Sequence, residues 1–216
     1  MPRKTLLITR PDHDITTSYC FHWSQEIIVA ARRRGIRVID LYGKRANKKE
    51  VEEIIKTQNP NLTFFNGHGT EAMICGHKDE PLIVAGENDD LLKFKIVYSI
   101  ACDSAMGLGP RCVRSGAKAF IGYENVFIFI MDANKTHNPT SDDISKPFFE
   151  SSNQVPFSLI KDNTAGEAVS KSKETFGKWI TYYRTHDLIE SPQILPFLIW
   201  DRESLVVHGD RESRFV

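Results

Sequence analysis

The sequence predicts an α/β fold, a three-layer α/β/α sandwich around a mostly parallel central sheet. Two observations carry that prediction. Short apolar runs rich in Ile, Val, Phe and Tyr recur along the chain, with no polar alternation of the kind that a sheet with one wet face would show. Between them lie segments with apolar residues at helical spacing, and an alternation of strand and helix calls for parallel strands joined by right-handed crossovers. At 216 residues, 41% hydrophobic and 26% charged, the chain has the content of an ordinary globular protein. No composition break divides it, so one domain over residues 1–216 is expected.

The elements follow in order. Thr5 to Thr9 (TLLIT) reads as the first strand, and Arg10-Pro11-Asp12-His13-Asp14 as the turn leaving its carboxyl end. Thr16 or Thr17 is expected to cap a helix reaching Arg34, where Gly35 stops it. Ile36 to Leu41 is the second strand, and Asn47 caps a helix over Lys48 to Gln58 whose Val51, Ile54 and Ile55 form a core face. Asn59-Pro60-Asn61 breaks the chain before a strand at Leu62 to Phe65. A small hairpin is expected within Ala72 to Val84, then a strand in Lys95 to Ile100, a helix near Arg111 to Ser115, and a strand at Ala119 to Tyr123. From Met131 to Asn153 the polar sequence predicts a long loop with one short helix near Ile144 to Glu150. Thr164 caps an amphipathic helix reaching Tyr183. The apolar run Ile194 to Trp200 reads as a strand that Pro196 confines to an edge, and Leu205 to Asp210 as a final short strand.

In an open α/β sheet, chemistry collects outside the carboxyl ends of the strands. Two strands end there on reactive residues. Phe64-Phe65-Asn66-Gly67-His68-Gly69 ends on a histidine, and Val97-Tyr98-Ser99-Ile100-Ala101-Cys102-Asp103-Ser104 on a cysteine. If the strands are neighbours, the His68 imidazole acts as base and the Cys102 thiol as nucleophile. The thiol needs that help, since it is mostly protonated near neutral pH. Gly69 and Cys102 supply the backbone N–H groups for an oxyanion. A helix starting soon after Cys102 would favour its thiolate through the dipole.

An apolar strand followed by His-Gly, and a later one followed by Ala-Cys, resembles the caspase-like superfamily of cysteine peptidases, which includes caspases, legumains, gingipains, clostripain-like enzymes, separases and CHAT domains. The resemblance covers Lys4 to Tyr123 and, more loosely, the rest. It implies a caspase-like sandwich and a cysteine endopeptidase working through a His68–Cys102 dyad, with no third orienting residue assignable. Caspases carry Gln before Ala-Cys and Arg-Gly after it. Ile100 and Asp103-Ser104 stand here, so gingipain-, CHAT- and legumain-like members are nearer and aspartate specificity is not carried over. In the family the segment around Glu124 helps to line the specificity pocket, and an inward Glu124 would favour a basic residue before the cut. Asp12, Asp14 and Asp103 are the other candidate substrate contacts, with Arg10 and His13 beside them. A protein or peptide substrate is implied, no cofactor is needed, and a regulatory partner or activation step is in keeping with the family. The alternative is a catalytically idle or partner-activated adaptor.

Net charge is zero, which offers no bulk attraction to nucleic acid or membrane. With no secretory or membrane-spanning run, a cytoplasmic location is expected. The four cysteines are too few for a disulfide framework and form no CxxC pair. Cys75, His77, His68 and Cys102, with Asp79 as an oxygen ligand, are residue types that can form a metal site; nothing in their spacing demands an ion, and no metal is expected.

Overall fold

The computed structural model describes residues 4–186 and 188–216. Strand β1 (Thr5–Arg10) leads into helices α1 (Ile15–Trp23) and α2 (Gln25–Arg33), then β2 (Arg37–Tyr42), α3 (Lys48–Gln58) and β3 (Leu62–Phe65). The hairpin region holds β4 (Gly69–Thr70), β5 (Met73–Cys75) and β6 (Pro81–Val84). After it come β7 (Ile96–Ser99), α4 (Leu108–Arg114) and β8 (Ala119–Tyr123). The last part is helical, with α5 (Lys146–Ser152), α6 (Gln154–Ile160), α7 (Ala165–Thr185) and α8 (Ser191–Ser204), and it closes with β9 (Leu205–Gly209).

The main sheet has the order β2-β1-β3-β7-β8-β9. Its first five strands are parallel, and β9 returns antiparallel to β8, with Ile121 opposite Val207. A separate antiparallel sheet, β4-β5-β6, stands beside it. The strand pleat explains the three layers. Leu6, Ile8, Phe64, Ile96, Tyr98, Ala119 and Ile121 point to one face and pack with α1, α2 and the helices after residue 145. Leu7, Phe65, Val97 and Phe120 point to the other and pack with Val51 and Ile55 of α3, Leu108 and Cys112 of α4, and Ile74, Leu82 and Ile83 of the small sheet. With both faces covered, every strand residue of β3, β7 and β8 is buried, which is why their sequences read as unbroken apolar runs.

Several boundaries differ from the expectation. Asp14, not Thr16 or Thr17, caps α1; it accepts from the Thr17 N–H while the Thr17 hydroxyl accepts from the Asp14 N–H, a reciprocal capping box. The expected single helix to Arg34 is two helices that meet at Ser24. Asn47 caps α3 as expected, through the Glu50 N–H. Thr164 caps α7, also as expected, in a capping box with Glu167.

The largest correction is the run Ile194 to Trp200, which is not an edge strand but the middle of α8. Its uniform apolarity hid the helical period. Ile194, Leu198 and Asp201 are buried, one helical face, while Pro192 sits in the first turn and Pro196 lies inside the helix, where it removes one backbone donor. Helix α6 was not anticipated either. The β8-to-α5 connection has only short 3-10 turns at Ala133–Lys135 and Pro139–Ser141. It is anchored by an aromatic cluster in which Phe149 stacks on Trp23 with ring centroids 5.7 Å apart and meets Phe129 at 4.8 Å. The Tyr19 hydroxyl and the Asp132 N–H both donate to Asp142, at 2.8 and 3.0 Å. Among the described residues, no helix is long and apolar enough to cross a membrane.

Candidate active site

His68 follows β3 after a tightly built turn. The Asn66 side-chain amide donates to the Thr9 carbonyl at 2.8 Å, tying the end of β3 to that of β1. Gly67 has φ +134, and a Cβ there would lie 2.3 Å from the Cys75 carbonyl oxygen, so only glycine fits the approach to β5. The Cys75 N–H then donates to the His68 carbonyl at 2.9 Å. With its backbone held on both sides, His68 presents its ring at the carboxyl edge of the sheet. There Nε2 lies 2.7 Å from Asp14 Oδ2.

Asp14 thus joins two tasks, the cap of α1 and the partner of His68. Partial burial works against its charge, but the Thr17 N–H and the His68 ring outweigh that and lower its pKa to about 2. Asp14 is therefore a carboxylate at neutral pH. The sequence had marked it as a substrate contact; its contact with the His68 ring was not foreseen, because it joins residues far apart in the chain.

Cys102 follows β7, the strand next to β3. The Ile100 N–H still donates to the Phe65 carbonyl at 3.0 Å, so the two strands stay paired up to the turns that carry His68 and Cys102. The Ser104 hydroxyl donates to the Ala101 carbonyl at 2.8 Å and closes the Cys102 turn, with Asp103 in the left-handed region at φ 57. Gly69 lies against this turn. A Cβ on it would come 2.7 Å from Ala101 Cβ and 3.1 Å from the Cys102 carbonyl oxygen, which brings the two candidate oxyanion donors onto touching backbone stretches.

Of the four free cysteines only Cys102 is partly exposed. Burial raises its pKa, the Phe127 backbone N–H acts against that, and the charge of Asp103 adds to the rise. Helix α4 begins only at Leu108, so the expected help from its dipole does not offset burial. The resting thiol is protonated and depends on a base. Cys20 and Cys112, pushed up by burial to about 12, are inert by the same physics.

The remaining candidates scatter. Arg10 is not available to a substrate; it is buried in an ion pair with Asp40 and also donates to the Phe21 carbonyl. Asp12 Oδ1 lies 3.8 Å from His77 Nδ1. Asp103 adjoins Cys102 and donates its N–H to the Asn125 carbonyl. Glu124 directs its carboxylate to His208, with Oε1 3.6 Å from Nε2, and the rest of its side chain is exposed.

Asp201 gives no signal in the sequence, since it follows directly on the Ile194 to Trp200 run and shows as a buried position only once that run is helical. Its side chain is fully buried, and one oxygen accepts from the Ile128 N–H at 3.0 Å while the other has no partner. Burial pushes its pKa well up. A carboxyl raised by folding contributes stability while protonated and loses it as pH rises through the folded pKa. Asp201→Asn is therefore expected to unfold at a higher temperature than the wild type at about pH 8, with the gap closing below about pH 4. Thermal melts across that range check it; a gap that widens toward acid would refute the buried-acid account.

No family model and no curated protein matches this sequence. Solved structures do. The chain is similar to the Arg specific cysteine proteinase gingipain R (RgpB), with TM-score 0.58 and 13% identity over 97% of this chain and 46% of that one. It is also similar to the complex of Porphyromonas gingivalis RgpB pro- and mature domains, with TM-score 0.60 and 11% identity over 97% of this chain and 47% of that one. This chain spans about half the length of those it matches. At such identity the likeness is one of fold, and the fold is that of the caspase-like cysteine peptidases.

Proposed function

We propose that this chain is a cysteine endopeptidase acting through Cys102 and His68, with all of residues 1–216 serving as one catalytic domain. The observation that carries the reading is the pairing of β3 with β7, which sets His68 and the one partly exposed thiol on adjacent turns at the carboxyl edge of the sheet. The fold shared with a cysteine proteinase supports it.

The chemistry follows from the groups present. The Asp14 carboxylate accepts from Nε2–H of His68, which leaves the lone pair of the neutral ring on Nδ1. Nδ1 takes the thiol proton as Sγ attacks the scissile carbonyl. The oxyanion is stabilised by the N–H groups of Gly69 and Cys102, each worth about 3 kcal/mol at a site of this kind. The imidazolium, its charge balanced by Asp14, protonates the departing amine and leaves a thioester on Cys102. Water, losing its proton to His68, hydrolyses the thioester and restores the thiol. No cofactor enters. Asp103, next to Cys102 in the chain, carries negative charge beside the thiol, which suits a substrate with a basic residue before the cut.

The test is covalent capture: a panel of peptidyl acyloxymethyl ketones, varied at the residue before the warhead, is incubated with the protein and the adduct located by mass spectrometry. A stoichiometric adduct on Cys102, fastest with Arg or Lys in that position, is expected. Labelling that ignores the peptide and falls equally on other cysteines would favour the idle adaptor instead.

A further inference from the structure

The β1–α1 turn and the small sheet bring three histidines together beside the candidate base. His13 and His68 meet edge-on with ring centroids 6.0 Å apart, and His13 and His77 at 5.3 Å. Three carboxylates lie among them. Asp14 Oδ2 is 2.7 Å from His68 Nε2 and 3.6 Å from His13 Nε2, Asp79 Oδ1 is 3.4 Å from His13 Nε2, and Asp12 is near His77. Among the described residues, none of these carboxylates pairs with a Lys or Arg. The second observation concerns His13 itself: both of its ring nitrogens are buried and neither has a hydrogen-bond partner. Buried ring nitrogens that make no hydrogen bond, with carboxylates only at 3.4 and 3.6 Å, are costly unless an ion occupies the space between them.

We propose that a zinc-class divalent ion binds between His13 Nε2, His68 Nε2 and the carboxylate of Asp14, with Asp79 as fourth ligand, and thereby switches off the candidate base. The donor set suits that ion. One nitrogen from each histidine and one oxygen from Asp14 lie within 4.8 Å of one another; Asp79 stands outside that group, beside His13 alone, and joins the shell by rotation of its exposed side chain. A tetrahedral zinc with ligand bonds of about 2.0–2.2 Å needs separations of about 3.3 Å. Three of the pairs measured here already lie between 2.7 and 3.6 Å. Two neutral imidazoles with two carboxylates also balance the dication, and imidazole with carboxylate selects zinc over calcium or magnesium. The set differs from the one the sequence offered: His13 and Asp14 replace Cys75, His77 and Cys102.

The inhibitory consequence is a matter of tautomers and rests on the peptidase reading. A neutral imidazole that gives its Nε2 lone pair to a metal carries its one proton on Nδ1. That nitrogen can then no longer accept a proton from Cys102. Binding at His68 and activation of the thiol are mutually exclusive.

Metal-free protein is titrated with Zn²⁺ by calorimetry and with Co²⁺ by visible absorption, and the alkylation of Cys102 by iodoacetamide is timed with and without Zn²⁺. One equivalent is expected to bind, with a cobalt spectrum of tetrahedral nitrogen and oxygen ligation. His13→Ala should weaken binding by more than the roughly 100-fold that loss of an outer-shell partner costs. Asp79→Asn, at an exposed side chain, should weaken it without disturbing the fold, which keeps the test valid if His13→Ala unfolds. Absence of stoichiometric binding, or binding that His13→Ala and Asp79→Asn leave intact, overturns the site. So does binding lost in Cys102→Ala, because the ion would then be held by the thiol. Zinc should also slow alkylation in the wild type but not in Asp79→Asn at the same concentration. If the ion binds as proposed while His68→Ala leaves metal-free alkylation unchanged, the site stands, and the inhibitory role and the role of His68 as base fall together.

Discussion

Cys102→Ala is expected to lower peptide hydrolysis by a factor on the order of 10⁶, and His68→Ala by nearly as much, because a nucleophile and its base act as one unit. The double variant should be no worse than either single one. The expectation follows from the state of the thiol. Burial and the charge of Asp103 hold Cys102 protonated, so without a proton acceptor beside it there is almost no thiolate to attack. Initial rates on the preferred fluorogenic peptide, with folding checked by circular dichroism, measure the effect. Losses from the two single variants that multiply in the double variant would mean that the residues act independently, and the dyad would have to be abandoned.

Phe149→Ala is expected to destabilise the fold by about 3–5 kcal/mol, the cost of removing a fully buried aromatic ring and leaving its cavity. The ring is only 1% exposed and lies among Trp23, Phe127, Phe129 and Tyr19. It therefore joins α1, which Asp14 caps, to the connection that carries Phe127 past Cys102. Denaturant unfolding monitored by Trp fluorescence gives the number. A loss below about 1 kcal/mol would show that the cluster is slack and that the connection is held by Asp142 instead.

Much of the architecture was legible without coordinates. The strands β1, β3, β7 and β8 announce themselves because a sheet covered on both faces must be apolar at successive positions, while the edge strand β2 is marked by its Val and Ile between charged residues. The caps Asn47 and Thr164 were legible because capping is chemistry between residues three apart. The same locality set the limits. Thr17 looked like a cap, yet Asp14 takes that place and Thr17 answers it from within the helix, a choice settled by which backbone first turns helical. In Ile194 to Trp200 every side chain is apolar, so strand and helix leave the same mark, and only packing against α7 and the sheet separates them.

What the sequence determined by itself is the alternation of elements, and with it the placing of His68 and Cys102 at the ends of two buried strands, since burial on both faces leaves a pattern in the order of residues. The tertiary structure alone decided who stands beside them. Asp14 and His13 reach His68 from the first turn, Asp79 meets His13 from the small sheet, and Asp201 comes to lie within electrostatic reach of Cys102 from the last helix. Contacts between segments so far apart depend on strand order and crossover hand, and no local run of residues records them.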